Sequence, residues 1–372
     1  MRVTNIETRQ VESGFPLTFS GGTYQLTKRS SVLCRISTDE GVTGEVCVGN
    51  EDSYSARFFE LIHGPFREIL VGRDPLMIEE HWEKMIAHAT KAPEPDAGIK
   101  AISTVDVTLW DLKGKVCGLP VYKLIGGRTD RVPIIGIGGY YETCSDEQGI
   151  RDEITFYKDI GLAGIKFKVG RFDIQEDVER VRVARDAAGD DFAIVVDSNL
   201  AWVPAEAVRF AMQIRDCNPC WLEEPVHWRN IPRGLREVRQ KSGVPVGAGQ
   251  SELSVFGCYE LLAREAVDVI NVTANRGGGI TAWLKIAGAA ALADVTMGHV
   301  AEPHIAMHLM AGISNPTFVE CYPDVRRDPF WDELYENRPA IVEGYITLPD
   351  RPGLGLTFNR HAVERFALGP WQ

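Results

Sequence analysis

Gly164-Ile165-Lys166-Phe167-Lys168-Val169-Gly170 is the stretch on which the reading of the whole chain turns. It is a short apolar run bounded by glycines, and two lysines sit in it two residues apart. Side chains alternate along a strand, so Lys166 and Lys168 share one face and Phe167 takes the other. Comparable runs lie on both sides: Val132–Tyr140 before it, then Phe192–Asn199, Cys220–Pro225, Val244–Gln250, Val267–Ala274, Asp294–His299 and Thr317–Tyr322 after it. Their starts are 23 to 32 residues apart, the length that one strand, one helix and two loops require. The segments between them have helical periodicity. In Ile174–Ala188, for example, Val178, Val181 and Val183 are interspersed with Glu, Asp and Arg. Eight such units in succession predict an α/β fold of the (β/α)8 barrel type rather than a doubly wound sheet.

Outward from the barrel the character changes. Residues 1–125 read as an α+β unit, with strand-like runs at Met1–Val11, Ser31–Ser37 and Gly41–Cys47. Helical stretches follow at Ala56–Leu70, Leu76–His88 and Ala97–Val116, the last stopping at Gly118-Leu119-Pro120. The barrel is expected over 126–322. The segment 323–372 has few signals before Ala340–Leu348 and is expected to return to the N-terminal unit.

Composition narrows the partners. A net charge of −12 repels nucleic acid and anionic membrane, and no apolar run is long enough to span a bilayer. The eight cysteines are scattered and the first residues carry no apolar signal segment, so a reducing cytoplasm is expected. Cys217-Asn-Pro-Cys220 has no second C-x-x-C to complete a zinc site. Gly277-Gly278-Gly279 lacks a phosphate-loop pattern and reads as a close packing turn. No G-x-S-x-G elbow is present.

Barrel enzymes carry their chemistry at the C-terminal ends of the strands. There Lys166 and Lys168 would face the mouth together, each depressing the other's pKa, which favours one neutral lysine as a base. The next three runs end in acids: Asp197 and Asn199, then Glu223-Glu224, then Gln250-Ser251-Glu252. Carboxylates converging in this way repel one another unless a hard cation binds them, and oxygen donors suit Mg²⁺. His299 closes the seventh run as a candidate general acid. His304 and His308, four apart, are expected to share a helix face.

Taken in order, these residues resemble the enolase superfamily, in its mandelate racemase-like branch. The motifs are the helix Ala101–Lys115 running on to Gly126-Gly127-Arg128, Lys166-x-Lys168, Asp197-x-Asn199, Glu223-Glu224-Pro225 and Pro352-Gly-Leu-Gly. The resemblance implies a capping domain closing over the barrel mouth, with Pro16–Gln25 as a mobile specificity loop. It implies Asp197 and Glu223 as Mg²⁺ ligands, with Gln250 or Glu252 where the family has an acid after glycine. Lys168 would be the base, and Lys166 would contact the substrate carboxylate. His299 would be the second acid/base, although Thr273 stands where its usual aspartate partner would be. Glu320, Asn199, Tyr140 and Ser20 would contact a small carboxylate substrate. The implied reaction is removal of the proton next to a carboxylate. It would continue as dehydration of a sugar acid to a 2-keto-3-deoxy acid, or as racemisation or epimerisation. A catalytically inactive, metal-binding relic is the reading from another class. The branch usually assembles as dimers or octamers.

Overall fold

Three antiparallel strands open the chain: β1 (Val3–Ser20), β2 (Gln25–Thr38) and β3 (Thr43–Glu51), paired in the order β1-β2-β3. The computed structural model describes residues 1–51, 53–89 and 94–372. β1 runs nine residues beyond the expected Val11 and pairs with β2 up to Ser20↔Gln25. Pro16, which has no N–H to give a ladder, falls within the register shift between Gly14 and Phe19, where none is needed. The expected specificity loop is thus a long hairpin with only its tip, 21–24, outside the strands.

The helix Pro95–Cys117 joins this sheet to the barrel. It starts two residues before the expected Ala97, because Pro95 suits a first turn whose N–H groups have no intrahelical partner. It ends where Gly118 adopts φ 66°, a left-handed C-cap. Most of its circumference is buried, as expected of a helix with other elements on every side. Its Asp111 accepts from Glu45 N–H at 2.9 Å and from Leu354 N–H at 2.8 Å, tying sheet and tail to one carboxylate.

Eight parallel strands then close into a barrel: β4 (Arg131–Gly138), β5 (Gly164–Lys168), β6 (Ala193–Asp197), β7 (Leu222–Glu223), β8 (Val246–Ala248), β9 (Val269–Asn271), β10 (Thr296–His299) and β11 (Pro316–Cys321). Each pairs with its successor, and β11 pairs back onto β4. Most of the expected runs are longer than the strands, because the apolar stretches begin one or two residues before the ladder and the site residues follow it. Gly279, at φ 91°, lies against the Asp106 side chain, where a Cβ would not fit. The triple glycine is therefore a packing turn between the long helix and the helix Gly279–Leu292.

The tail does two things. Its hairpin β12 (Ile341–Val342) and β13 (Tyr345–Thr347) adds antiparallel to β4 at the barrel's closed end, through Ile346↔Val132. The last residues then reach the first strand, where Gln372 and Thr8 exchange backbone hydrogen bonds and Arg9 Nη1 pairs with Glu364 at 2.5 Å.

Candidate active site

The register of the parallel ladder sets the site. Lys168 lies opposite Asp197, and Asp197 opposite Glu223, so three consecutive strands deliver their last polar side chains to one level. Lys166 Nζ is 3.0 Å from Glu223 Oε1, 2.9 Å from Glu320 Oε2 and 3.8 Å from Asp197 Oδ2. Lys168 Nζ donates to Asp197 Oδ2 at 2.6 Å. All five side chains are buried. Asn199 holds Asp197 from above, through its backbone N–H at 3.0 Å and its Nδ2 at 3.2 Å.

The electrostatics differ from the expected mutual depression of the lysines. Burial does favour neutral lysines, but Glu223, Glu320 and Asp197 around Lys166 outweigh it, and its pKa is raised. Lys168 is also raised, because Asp197 more than offsets its burial. Glu223 is pushed up to about 7 by burial and by the neighbouring Asp197, Glu320 and Glu224. Asp197 is lowered; its burial is overcome by the two lysines. The floor is thus a coupled array of three carboxylates and two ammonium groups, in which the carboxylates decide the protonation of the lysines.

Gln250 and Glu252 separate clearly. Gln250 Oε1 is buried, makes no hydrogen bond and lines the cavity over the floor. Glu252 turns back against Gly257, in the first turns of the helix Val255–Ala263, and does not line that cavity. Of the two residues expected to compete for the third ligand position, Gln250 lines the cavity with an unpartnered oxygen and Glu252 does not line it. Asp197, Glu223 and Gln250 together offer an oxygen-only donor set suited to a hard divalent cation. Glu224 serves structure instead: its oxygens accept Ser251 N–H and Oγ–H, both at 2.7 Å. Asn199, Leu200 and Glu224 have φ of 50°, 65° and 43°. Three non-glycine residues held in left-handed backbone at one rim is a pattern found at functional sites.

The cavity, about 300 Å³, is bounded by Thr23, Tyr24, Asn199, Gln250, Arg276 and Arg327 among others. The hairpin tip covers it. Thr23 Oγ1 donates to Asn199 O at 2.6 Å, and Lys168 Nζ lies 5.6 Å from the centre of the Tyr24 ring. Ser20, expected to contact substrate, instead bonds Glu142 through its backbone N–H at 2.7 Å and through its hydroxyl. Tyr140 packs edge-on to Phe19 at 5.1 Å in a small apolar cluster, and its buried hydroxyl lies beside Tyr24 and Arg327.

His299 stands where the sequence placed it, at the end of β10. Ala274 N–H donates to its Nε2 at 2.9 Å, and its Nδ1 faces Ala301 O at 3.1 Å. Both ring nitrogens are occupied by backbone, and burial lowers its pKa to about 3. The expected partner position, Thr273, caps the short helix Ala274–Gly277 by accepting Arg276 N–H at 3.0 Å. That cap aims Ala274 N–H at the imidazole. His304 and His308 do share one helix, Pro303–Gly312, and both bond backbone, at Cys47 O (2.7 Å) and at Leu354 O (3.1 Å).

Sequence reasoning missed four residues. Asn271 Nδ2 bridges Glu223 Oε2 at 2.7 Å and Glu320 Oε1 at 3.0 Å, and Trp221 Nε1 donates to Glu223 Oε2 at 3.0 Å. Asn271 ends an otherwise apolar strand two residues before Thr273, a signal that attention to Thr273 obscured. Arg276 reaches the cavity from the one-turn helix Ala274–Gly277 and Arg327 from a turn, both too short for periodicity to mark a side chain as inward-facing.

A capped eight-stranded barrel with paired lysines and converging acids at the mouth defines a class of enzymes that act on carbon acids next to a carboxylate. Residues 2–126 match the family described as mandelate racemase / muconate lactonizing enzyme, N-terminal domain, and 150–362 match the enolase C-terminal domain-like family. The chain belongs to the mandelate racemase/muconate lactonizing enzyme branch of the enolase superfamily. It is 28% identical to an arabinonate dehydratase of Saccharolobus solfataricus, over 90% of each chain. It is 30% identical to an L-talarate/galactarate dehydratase of Salmonella typhimurium, over 91% of this chain and 82% of the relative. A solved mandelate racemase/muconate lactonizing enzyme from a marine actinobacterium, in complex with magnesium, superposes with a TM-score of 0.92 at 38% identity, over 99% of each chain.

Proposed function

We propose that the protein is a Mg²⁺-dependent dehydratase that converts a sugar acid to a 2-keto-3-deoxy acid. One observation carries this reading. Lys166 and Lys168 are held by Asp197, Glu223 and Glu320 next to a cavity lined by Asn199, which bonds Asp197, and by Gln250, whose buried Oε1 has no hydrogen-bond partner. Asp197, Glu223 and Gln250 would hold the cation, with Asn271 and Trp221 orienting Glu223. When bound, the cation supplies positive charge where negative charge develops on the substrate carboxylate. Asp197 and Glu223, if they held a cation, would raise the lysine pKa values less, and burial would favour the neutral base at Lys168.

Lys168 then takes the proton from C2, the C–H electron pair passing toward the carboxylate. Lys166, bridged to Glu320, donates to that carboxylate as its charge grows. The electrons return to form the C2–C3 double bond while the C3 hydroxyl leaves. Lys168 hands it the proton taken from C2, so water departs and the base is neutral again. The enol that remains tautomerises to the 2-keto acid. Racemisation requires a second acid/base on the opposite face, and His299, bonded to backbone at both nitrogens, does not supply one. Residues 1–125 with the end of the tail serve as the cap that shuts water from this chemistry.

The test is to incubate the protein with a set of aldonic and aldaric acids, with Mg²⁺ and with EDTA, and to identify products by NMR. A 2-keto-3-deoxy acid formed only with Mg²⁺ is expected. A C2 epimer with no keto acid would make the protein an epimerase, and Mg²⁺ binding with no product from any acid would support the inactive relic.

A further inference from the structure

Arg327 occupies a position that the half-reaction does not explain. Its side chain is 2% exposed, yet it lines the cavity above the lysine floor. Its Nε makes no hydrogen bond, Nη1 has a 3.4 Å contact to Asn50 Oδ1, and the neutral hydroxyls of Tyr140, Tyr322 and Tyr24 lie near the guanidinium. Both flanking acids are committed elsewhere, Asp324 to Arg326 at 2.7 Å and Asp328 to Arg29. Among the described residues no carboxylate pairs with Arg327. Aromatic rings cover its planar group, with Tyr322 at 4.3 Å and Phe15 at 5.0 Å from ring centre to guanidinium carbon. Stacking of this kind fixes the plane and leaves the edge, with its forked N–H donors, as the binding direction.

A buried guanidinium without a counter-anion is costly, and cations so placed are normally paired. The floor does not serve as the partner, because its three carboxylates are taken up by the two lysines, Asn199, Trp221 and Asn271. Under the proposed function the floor engages one carboxylate of the substrate, and Arg327 lines the cavity that borders the floor at Asn199 and Tyr24. We propose that Arg327 receives a second carboxylate, at the far end of the substrate, and that the protein acts on dicarboxylic sugar acids in preference to those ending in a CH₂OH group. A forked donor and a planar carboxylate match edge to edge. Asn50, whose Nδ2 donates to Tyr322 Oη at 3.0 Å, holds one side of that subsite. The inference rests on the proposed function, because the first carboxylate belongs to that reading.

The experiment pairs hexaric acids with hexonic acids of the same hydroxyl configuration, which differ only at the far end. Turnover is followed in the Mg²⁺-loaded wild type, Arg327→Gln and Arg327→Lys. Binding is followed separately by calorimetry in Lys168→Ala, with and without Arg327→Gln. Wild type should favour the diacid by about 100-fold in kcat/KM, a ratio that collapses toward unity in Arg327→Gln and is partly restored in Arg327→Lys. Diacid binding to Lys168→Ala should weaken by about the same factor when Arg327→Gln is added. Turnover of hexonic acids as fast as hexaric acids, or an unchanged preference in Arg327→Gln, overturns the inference and leaves the dehydratase reading standing. Arg327-dependent diacid binding without loss of any C2 proton supports the inference and overturns the dehydratase reading. Neither binding nor proton loss with any acid overturns both.

Discussion

The two sides of the barrel mouth are built from the same kind of element and do opposite things with charge. On the side of β5, β6 and β7, strands end in Lys168, Asp197 and Glu223, all buried and all paired with other side chains. On the opposite side β10 ends in His299, also buried but hydrogen-bonded only to backbone, while Asn271 at the end of β9 belongs with the first group through Glu223 and Glu320. Side-chain partners can change charge state and move; backbone amides do neither. Under the proposed function the first side exchanges protons, and His299 holds a loop in place. Thr273, where the family resemblance implied an aspartate partner for His299, caps a short helix instead.

The largest effect that would break this comparison is at Lys168. Lys168→Ala should lower turnover by about 10³-fold or more, as loss of a positioned general base does, with Mg²⁺ affinity retained. Turnover within tenfold of wild type would move the chemistry off this side. Next is the cation site. Gln250→Glu should tighten Mg²⁺ by about tenfold, because affinity at oxygen sites follows ligand charge, and Gln250→Ala should weaken it by a similar factor. Titration with Mg²⁺ by calorimetry reads both, and equal affinities would remove Gln250 from the donor set.

How much of this was legible in the sequence follows from what repeats and what does not. The barrel and its catalytic end were readable because strand–helix spacing and period-2 alternation are local signals, and Lys166, Lys168, Asp197 and Glu223 sit on strands where that alternation fixes their direction. Gln250 against Glu252 was not readable, since both lie beyond the last strand residue, Ala248, where the chain turns and alternation ends. The role of His299 depends on a hydrogen bond from Ala274, 25 residues away in sequence. The hairpin 1–38 looked like two short strands because polar and glycine residues dilute its alternation, and because its register shift accommodates a proline that argues against a strand.

Smaller effects sharpen the contrast between neutral and charged sides. His308, buried between Tyr122 N–H and Leu354 O, has its pKa lowered to about 4 by burial. A base depressed on folding contributes stability above its unfolded value, near 6.5, and loses it as pH falls toward 4. That is about 3 kcal/mol for this residue. Urea midpoints between pH 7 and 4 should fall less steeply in His308→Gln than in wild type, and parallel slopes would contradict the burial account. The smallest effect on turnover is expected at His299. His299→Asn should lower the melting temperature by releasing two backbone groups, yet keep kcat within about tenfold.

The most direct test of a one-sided mouth follows the C2 proton of a substrate acid by NMR in D₂O, with Mg²⁺, in wild type, Lys168→Ala and His299→Asn. The account predicts Mg²⁺-dependent loss of the C2 proton with a keto acid as product in wild type and His299→Asn, none in Lys168→Ala, and no deuterated C2 epimer in any of them. Exchange that survives in Lys168→Ala but disappears in His299→Asn, or a deuterated C2 epimer from wild type, would place a working base on the side of β10 and contradict it.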